Sequence, residues 1–474
     1  MSGLYSILSV GAESLHASRQ GVDTTGHNIA NAHTEGYSRQ RINLAPRDPL
    51  DTRGLVIGNG VYVKSITRAH DKFVENEINE LNQEQGQSKQ TFEELKRVEG
   101  IYSPESSITV ADELSKFFNS LQDLSQFPDD LIVRTNVKEM AGNLAGSFQK
   151  VDRDLRQAQR DINEKIIGEA ERINTLVENI GKLNIAINSM ELNEQTEAND
   201  LRDQQDKLLR ELSQKISINY YRSDRGMLTV RGPDETLLVD RGFTGKIGVV
   251  PKEGSPGFVD IAIYETENSP ARLIGDSNRS GMMRGLFDVR DKSIEKLLKD
   301  NNLMAKTLAD NINQVHRQGF GIKDFNNTTG RDFFVISDDF DEAARSIEVS
   351  SLIEESTDAI SVAATPEAAG DNLIVNEMLR VGNSKLMDNG KSTLNEFYAN
   401  YVGVFGLEIQ RADHQKQAQD ILLSELHSRR EAVAGVSLDE EAMNLMRWQS
   451  NFTASSRVIT TVDEMLDTVL NLKR

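Results

Sequence analysis

Asn389-Gly390-Lys391-Ser392-Thr393 has the residue types of a phosphate-binding loop. Such a loop needs a further glycine five residues before Gly390, so that successive backbone amides can curl round the anion. Lys385 stands there, and no strand-like run precedes it, so Gly390 reads as a turn between helices. The histidines are His16, His27, His33, His70, His316, His414 and His427, and none falls in a His-Glu-x-x-His zinc arrangement. Asp338, Asp339, Asp341 and Glu342 crowd together but lack the alternating ligands, the glycine and the final glutamate of a calcium loop. They read as a solvated loop. There is no Gly-x-Ser-x-Gly nucleophile elbow and no Gly-x-Gly-x-x-Gly turn. With no cysteine, thiolate nucleophiles, thiolate metal sites and disulfides are excluded. The expectation is a protein that is not an enzyme, with no catalytic residues, no metal and no cofactor.

The remaining chain must therefore be read for architecture. Its 474 residues correspond to about three domains. Acidic residues number 74 against 54 basic ones, a formal charge of −20 that repels nucleic-acid phosphate. Arg39, Arg41, Arg47 and Arg53 form a loose cluster that reads as solvated turn residues. No run approaches the roughly 18 apolar residues that span a bilayer, so membrane insertion is not expected. Met1 to Val10 has neither the basic start nor the long apolar core of a secretory signal. The chain is expected to be cytoplasmic, or to leave by a route that uses no cleaved signal. The lack of cysteine also suits passage, unfolded, through a narrow pore.

Both ends are amphipathic. Leu4, Leu8, Gly11, Leu15, Ser18, Val22, Thr25 and Ile29 alternate in steps of four and three, a heptad seam with small or polar flaws. Leu445, Trp448, Phe452, Ser455, Ile459, Val462, Leu466 and Val469 repeat the alternation near the other end. Ser437 and Glu440 form a capping-box pattern opening this last helix, and Gly435 can end the one before. Two such stripes predict terminal helices that pair with each other or with neighbouring subunits. Periodicity alone leaves an ordinary helical hairpin equally open.

Between the ends, Ala32 to Pro49 reads as extended or loop, and Leu55 to Val63 as a hairpin around Asn59-Gly60. Helix is expected from Asp71 towards Val98, from the Thr109/Asp112 cap to Leu124, and over a proline-free rod from Asp130 to Leu212. Strands are expected at 216–221, 227–230, 236–239 and 258–264, helix at 284–316, a strand at 333–336, and mainly helix from Asn372. The fold class is mainly α: a long-helix bundle formed by N- and C-terminal parts, with a β-rich inserted domain. The division is 1–35 with 436–474 as terminal assembly region, and 36–215 with 276–317 and 366–435 as helical bundle. Residues 216–275 form the β-rich insertion, and 318–365 a mixed loop and strand outer region.

The segment Asn28-Ile29-Ala30-Asn31-Ala32-His33-Thr34-Glu35-Gly36-Tyr37-Ser38-Arg39-Gln40 resembles the N-terminal signature of bacterial flagellar rod, hook and hook-associated proteins. Its Gly-Tyr-Ser-Arg-Gln ending looks most like the hook-associated protein 1 family, the hook–filament junction proteins. Gly435 to Gln449 and Ala454 to Asp467 resemble the C-terminal end of the same family. Trp448 stands where the family more often has Tyr, and the middle is short for the family. The resemblance implies a structural protein of the extracellular flagellum, cytoplasmic before export by the flagellar type III apparatus. It implies a ring on which the filament assembles, built by self-association and bordered by hook protein and the adjacent hook-associated protein. It also implies an export chaperone at the C-terminal region. The assembly residues would be Leu4, Leu8, Leu15, Val22, Ile29, Leu445, Trp448, Phe452, Ile459, Val462, Leu466 and Val469. Asn28, Asn31, Thr34, Gly36, Tyr37, Arg39 and Gln40 would form the connector. Thr34 and Gly36 suit a chain reversal there, and Tyr37 would dock the connector on the bundle. A hook or rod component shares the N-terminal signature and is the alternative, although the Gly435–Gln449 block and the long 130–212 region argue against it.

Overall fold

The computed structural model describes residues 2–52, 55–102, 109–191, 197–223, 226–266, 269–368 and 370–471. Its spine is α4 (Leu131–Met190), 60 residues long, or about 90 Å at 1.5 Å per residue. Asp130 starts it by accepting from the amides of Ile132 and Val133. Its buried stripe includes Val137, Leu144, Phe148, Leu155, Ile162, Ile166, Ile173, Val177, Ile180 and Ile187, the 3-to-4 spacing of one helical face.

Upstream of α4 lie α1 (Ser2–Ala30), α2 (Lys72–Tyr102) and α3 (Val110–Gln126), the last opened by the predicted Thr109/Asp112 capping box. Then α5 (Asn199–Lys215) follows α4, so the predicted single rod is two helices; its residues 192–196 lie outside the described residues. The bundle is completed by α6 (Met282–Asp288), which runs through a π-helical turn into α7 (Ile294–His316), and by α10 (Leu373–Asn383) and α11 (Leu394–Ala434). The short α8 (Ala343–Ser346) and α9 (Ser351–Glu355) lie between α7 and α10, and α12 (Leu438–Asn471) is the last helix. One contiguous apolar core runs from Leu95 to Ala412, and among the described residues neither α1 nor α12 contributes to it.

A ribbon joins α1 to α2. Strand β1 (Gln40–Pro46) pairs antiparallel with β4 (Val61–Arg68), and β2 (Leu50–Thr52) pairs with β3 (Leu55–Ile57) inside them. The expected hairpin around Asn59-Gly60 is therefore absent: β3 and β4 pair with different partners, because the ribbon reverses earlier in the chain. Arg53 lies outside the described residues.

The middle of the chain holds two small antiparallel sheets. One has the order β5 (Asn219–Arg222), β6 (Leu228–Arg231), β7 (Leu237–Asp240), β8 (Phe243–Thr244). The other has β9 (Lys246–Pro251) and β11 (Arg272–Leu273) flanking β10 (Val259–Tyr264). Side-chain amides fasten these sheets to the spine. Asn184 Nδ2 donates to the Leu228 carbonyl at 2.7 Å while its Oδ1 accepts from the Leu228 amide at 3.0 Å. Asn174 pairs with both backbone groups of Ile247, each at 2.7 Å. Asn163 accepts from the Val259 amide, and the buried Arg290 of the π turn donates to the Val259 carbonyl. A primary amide carries a donor and an acceptor side by side, so it replaces one rung of a β-ladder.

The stretch after α7 carries β12 (Phe334–Val335), inside the predicted 333–336 strand, paired with β13 (Glu348–Val349). His316, at the end of α7, is fully buried. Its Nε2 accepts from the Ser361 amide at 2.9 Å, so its Nδ1–H donates to the Arg331 carbonyl at 2.8 Å. Burial holds this neutral imidazole at a pKa of about 4. The acidic cluster at 338–342 forms a 3-10 turn in which Asp339 accepts from the Asp341 amide. The 389–393 stretch is a turn between α10 and α11, with Gly390 at φ +82° and Thr393 capping α11.

Removing one amide clip tests the fastening. Asn184→Ala strands the buried backbone groups of Leu228, and chemical denaturation should show a loss of about 2–4 kcal/mol. A loss near zero would mean that the sheet is held by apolar packing alone.

Candidate functional site

The two termini form an arm. Helices α1 and α12 run antiparallel, and their contacts keep step, first at intervals of seven residues and then of three against four. Asn28 meets Glu441, Gly21 meets Trp448, Ser14 Oγ lies 2.8 Å from Ser455 Oγ, and Gly11 faces Ile459. A Cβ on Gly21 would stand inside the indole, 2.6 Å from Cε2; on Gly11 it would touch Ile459 Cγ1 at 3.0 Å. These glycines let the helices approach closely enough to seat the Trp448 and Ile459 knobs.

The predicted seam is half rotated. On α12, Val462 is buried, Leu445, Trp448, Ile459 and Leu466 are half-buried, and Phe452 and Val469 are exposed. On α1, Leu4, Leu8, Leu15, Val22 and Ile29 are all half-buried flanks. The centre of that face is Gly11, Ser18, Gly21, Thr25 and Asn28. Small residues, which look like flaws in an apolar seam, win because dispersion favours close backbone approach.

At its root the arm meets the bundle through a polar joint. Asn28 is 1% exposed and uses its whole amide. Its Nδ2 donates to the Gln40 carbonyl and to Glu441 Oε2, both at 3.0 Å. Its Oδ1 accepts from the Gln40 amide at 2.9 Å and from the Tyr37 hydroxyl at 2.7 Å. Between these positions the chain reverses: Thr34 Oγ1 donates to Asn31 Oδ1, and Gly36 sits at φ +83°, a conformation costly for any residue with a Cβ. Tyr37 docks on the end of α1, edge-on to His27. Burial, and then the Asp200, Asp203 and Glu441 carboxylates, push its hydroxyl pKa up, so it stays a donor.

Arg39, expected to be solvated, instead clamps α12. Its Nη1 and Nη2 each reach a carboxylate at 2.7 Å, on Glu440 and Glu441 respectively. Its amide donates to the Ala434 carbonyl at the end of α11. Ser437 Oγ accepts from the Glu440 amide at 3.4 Å, which is half of the predicted capping box, while the Glu440 carboxylate turns to Arg39. Gly435 ends α11, as its position suggested. The connector is tied to α5 as well: Ser38 donates to Asp203 and Gln40 to Asp200. Deeper in, Arg68 bridges Asp203 and Asp206, Arg222 also holds Asp206, and Glu75 lies between Arg210 and Arg430. Burial alone would raise Asp206, but Arg68 and Arg222 outweigh it and hold its pKa at about 2. Asp203 has Arg68 as its guanidinium partner, and there burial prevails, so its pKa is raised.

The structure thus brings Asn28, Asn31, Thr34, Gly36, Tyr37, Arg39, Gln40, Ser437 and Glu440 into one joint. The sequence reading missed Glu75, Asp203, Asp206, Arg68, Arg210 and Arg430. They lie more than a hundred residues from one or more of their partners, and no spacing links them.

A family model described as the helical domain of flagellar hook-associated protein FlgK matches residues 95–334, just over half of the chain. The chain belongs to the flagellar hook-associated protein FlgK family. A model of the C-terminal region of flagellar basal body rod FlgEFG proteins matches residues 431–472, the end of α11 and all of α12. Among curated relatives, flagellar hook-associated protein 1 of Bacillus subtilis is 27% identical, with 99% of both chains covered. Its namesake from Salmonella typhimurium is 23% identical over 99% of this chain and 100% of that one. Among solved structures, the flagellar hook junction protein FlgK from Burkholderia pseudomallei superposes with a TM-score of 0.67 at 13% identity. The match covers 76% of this chain and 100% of that one, and it shows the shared fold.

Asn28→Ala should loosen the joint by about 2–4 kcal/mol, read as faster amide exchange in residues 28–40 and the first turns of α12. Asn28→Asp, of equal size, sets a second carboxylate beside Glu441. It should be worse at pH 7 than at pH 4, where protonation relieves the repulsion. Equal damage at both pH values would mean that shape, not charge, governs the joint.

Proposed function

We propose that this chain is a structural component of the bacterial flagellum at the hook–filament junction, where copies form a ring on which the filament is assembled. The observation that carries this reading is the arm. One seam between α1 and α12 is filled, yet Tyr5 and Ile7 on α1, and Met443, Met446, Val458, Met465 and Leu470 on α12, stay exposed with Phe452 and Val469. So much apolar surface on two helices outside the bundle core fits polymerisation contacts better than monomer packing. Head-to-tail contacts of unlike faces extend into tubes and rings. Neighbouring copies, hook protein and the adjacent hook-associated protein would cover this surface. The C-terminal helix would be shielded by an export chaperone before secretion through the flagellar type III apparatus. The working location would then be extracellular, after a cytoplasmic stage. The family is a structural one, and its fold supports a load-bearing role without catalysis.

The hook or rod alternative draws on the match of residues 431–472 to a rod-protein model. Deleting the gene separates the two: hooks without filaments, with filament protein in the medium, support the junction role, whereas cells with no hooks support the alternative. Ile459→Asp puts a charge against Gly11 and should abolish incorporation into flagella. Amide exchange in α2 to α11 should stay unchanged, since neither arm helix enters the core. Normal incorporation of this variant would refute the assigned role of the seam.

A further inference from the structure

A second surface lies at the opposite end of the molecule. The C-terminal end of α4 adjoins α5 and the joint. Its N-terminal end, about 90 Å away at 1.5 Å per residue, forms a tip with the end of α3 and the start of α10. The tip is a built unit: Asn372 Nδ2 donates to the Ser125 carbonyl at 2.6 Å, tying α10 to α3. Beneath it, the fully buried Arg134 donates to the carbonyls of Pro128, Thr357 and Ile360.

Four large apolar side chains nevertheless face outward there: Phe127 (57% exposed), Leu131 (55%), Ile132 (80%) and Leu373 (58%). The carboxylates of Asp129, Asp130 and Asp371 frame them, and none of the three is in an ion pair among the described residues. Two are held in place by backbone amides. Asp130 Oδ1 accepts from the Ile132 amide at 2.7 Å, and Asp371 accepts from the Leu373 and Ala364 amides. The nearby cations are engaged elsewhere, Lys138 with Glu139 and Glu354, and Lys323 with Asp358. The patch is apolar with an acidic rim. That rim repels anionic lipid headgroups and nucleic acid, and it attracts the opposite charge.

We propose that this tip docks a segment of a different protein that carries apolar side chains flanked by lysine or arginine. The partner's apolar groups would cover Phe127, Leu131, Ile132 and Leu373, and its cations would sit against Asp129, Asp130 and Asp371. The proposal shares with the junction reading only the premise that the chain works inside an assembly.

The chain has no cysteine, so Ile132→Cys gives a unique thiol for a photoreactive benzophenone, and Ile7→Cys gives the same on the arm. Isolated flagella carrying each variant are irradiated, and the adducts are mapped by mass spectrometry. The expected result at position 132 is an adduct to another flagellar chain, through a peptide with lysine or arginine beside the attachment point. Combining Asp129→Lys with Asp130→Asn and Asp371→Asn, which keep a side-chain oxygen for the backbone amides, should cut that yield about tenfold, with position 7 unchanged. Adducts at 132 only to second copies of this chain, no adduct there while position 7 reacts, or a yield indifferent to the charge changes, would each overturn the proposal. Failure of both variants to enter flagella, with the unmodified chain also absent from them, would sink the junction reading and this proposal together.

Discussion

Non-helical backbone pressed against a helix must find hydrogen-bond partners, because a buried unpaired amide or carbonyl costs more than most contacts return. This chain meets that constraint repeatedly with side-chain amides on its helices. Asn28 pairs with Gln40, Gln83 with Ile218, Asn174 with Ile247, Asn184 with Leu228 and Asn313 with Phe334, each using both donor and acceptor on a single residue. His316 does the same between Arg331 and Ser361 with its two ring nitrogens. The ribbon hangs on α1, and the sheets and the stretch after α7 hang on the bundle, through such clips.

The arm follows a different rule. Its helices approach over glycine, serine and threonine, so the pair is thin and leaves apolar flanks free. Its root is polar, with Asn28, Arg39 and Glu441 interlocked. A joint held by directional, charge-assisted bonds sets an angle more sharply than apolar packing, which tolerates sliding. An assembly subunit needs that combination: outer faces open to neighbours, and one orientation relative to the body.

Much of this architecture was legible in the residues. The proline-free periodicity of the expected 130–212 rod, broken only near its end, the cap at Thr109 and the strands expected at 216–221, 227–230, 236–239 and 258–264 are local signals that the packing largely preserved. The motif from Asn28 to Gln40 and the last helix were also legible as a family signature. The ribbon was misread because a turn-forming Asn-Gly pair says where the chain can bend, not which strand it will meet. The α1 seam was read in part: Gly11, Ser18 and Thr25 were in it, but as flaws, because periodicity weighs side-chain size, whereas close helix approach rewards its absence. Arg39 was misread because its carboxylate partners lie some four hundred residues away.

The amino-acid sequence by itself determined most of the long helices, the Thr109 cap, the absence of thiol chemistry and the family, because each rests on neighbours along the chain or on motif identity. Only the tertiary structure decided which face of α1 meets α12, which carboxylates hold the connector, and which asparagines stand in for strands. Those choices depend on distances between residues remote in sequence. A hydrogen bond or a glycine contact acts over a few ångströms, and nothing in the order of residues specifies which remote pair will come that close.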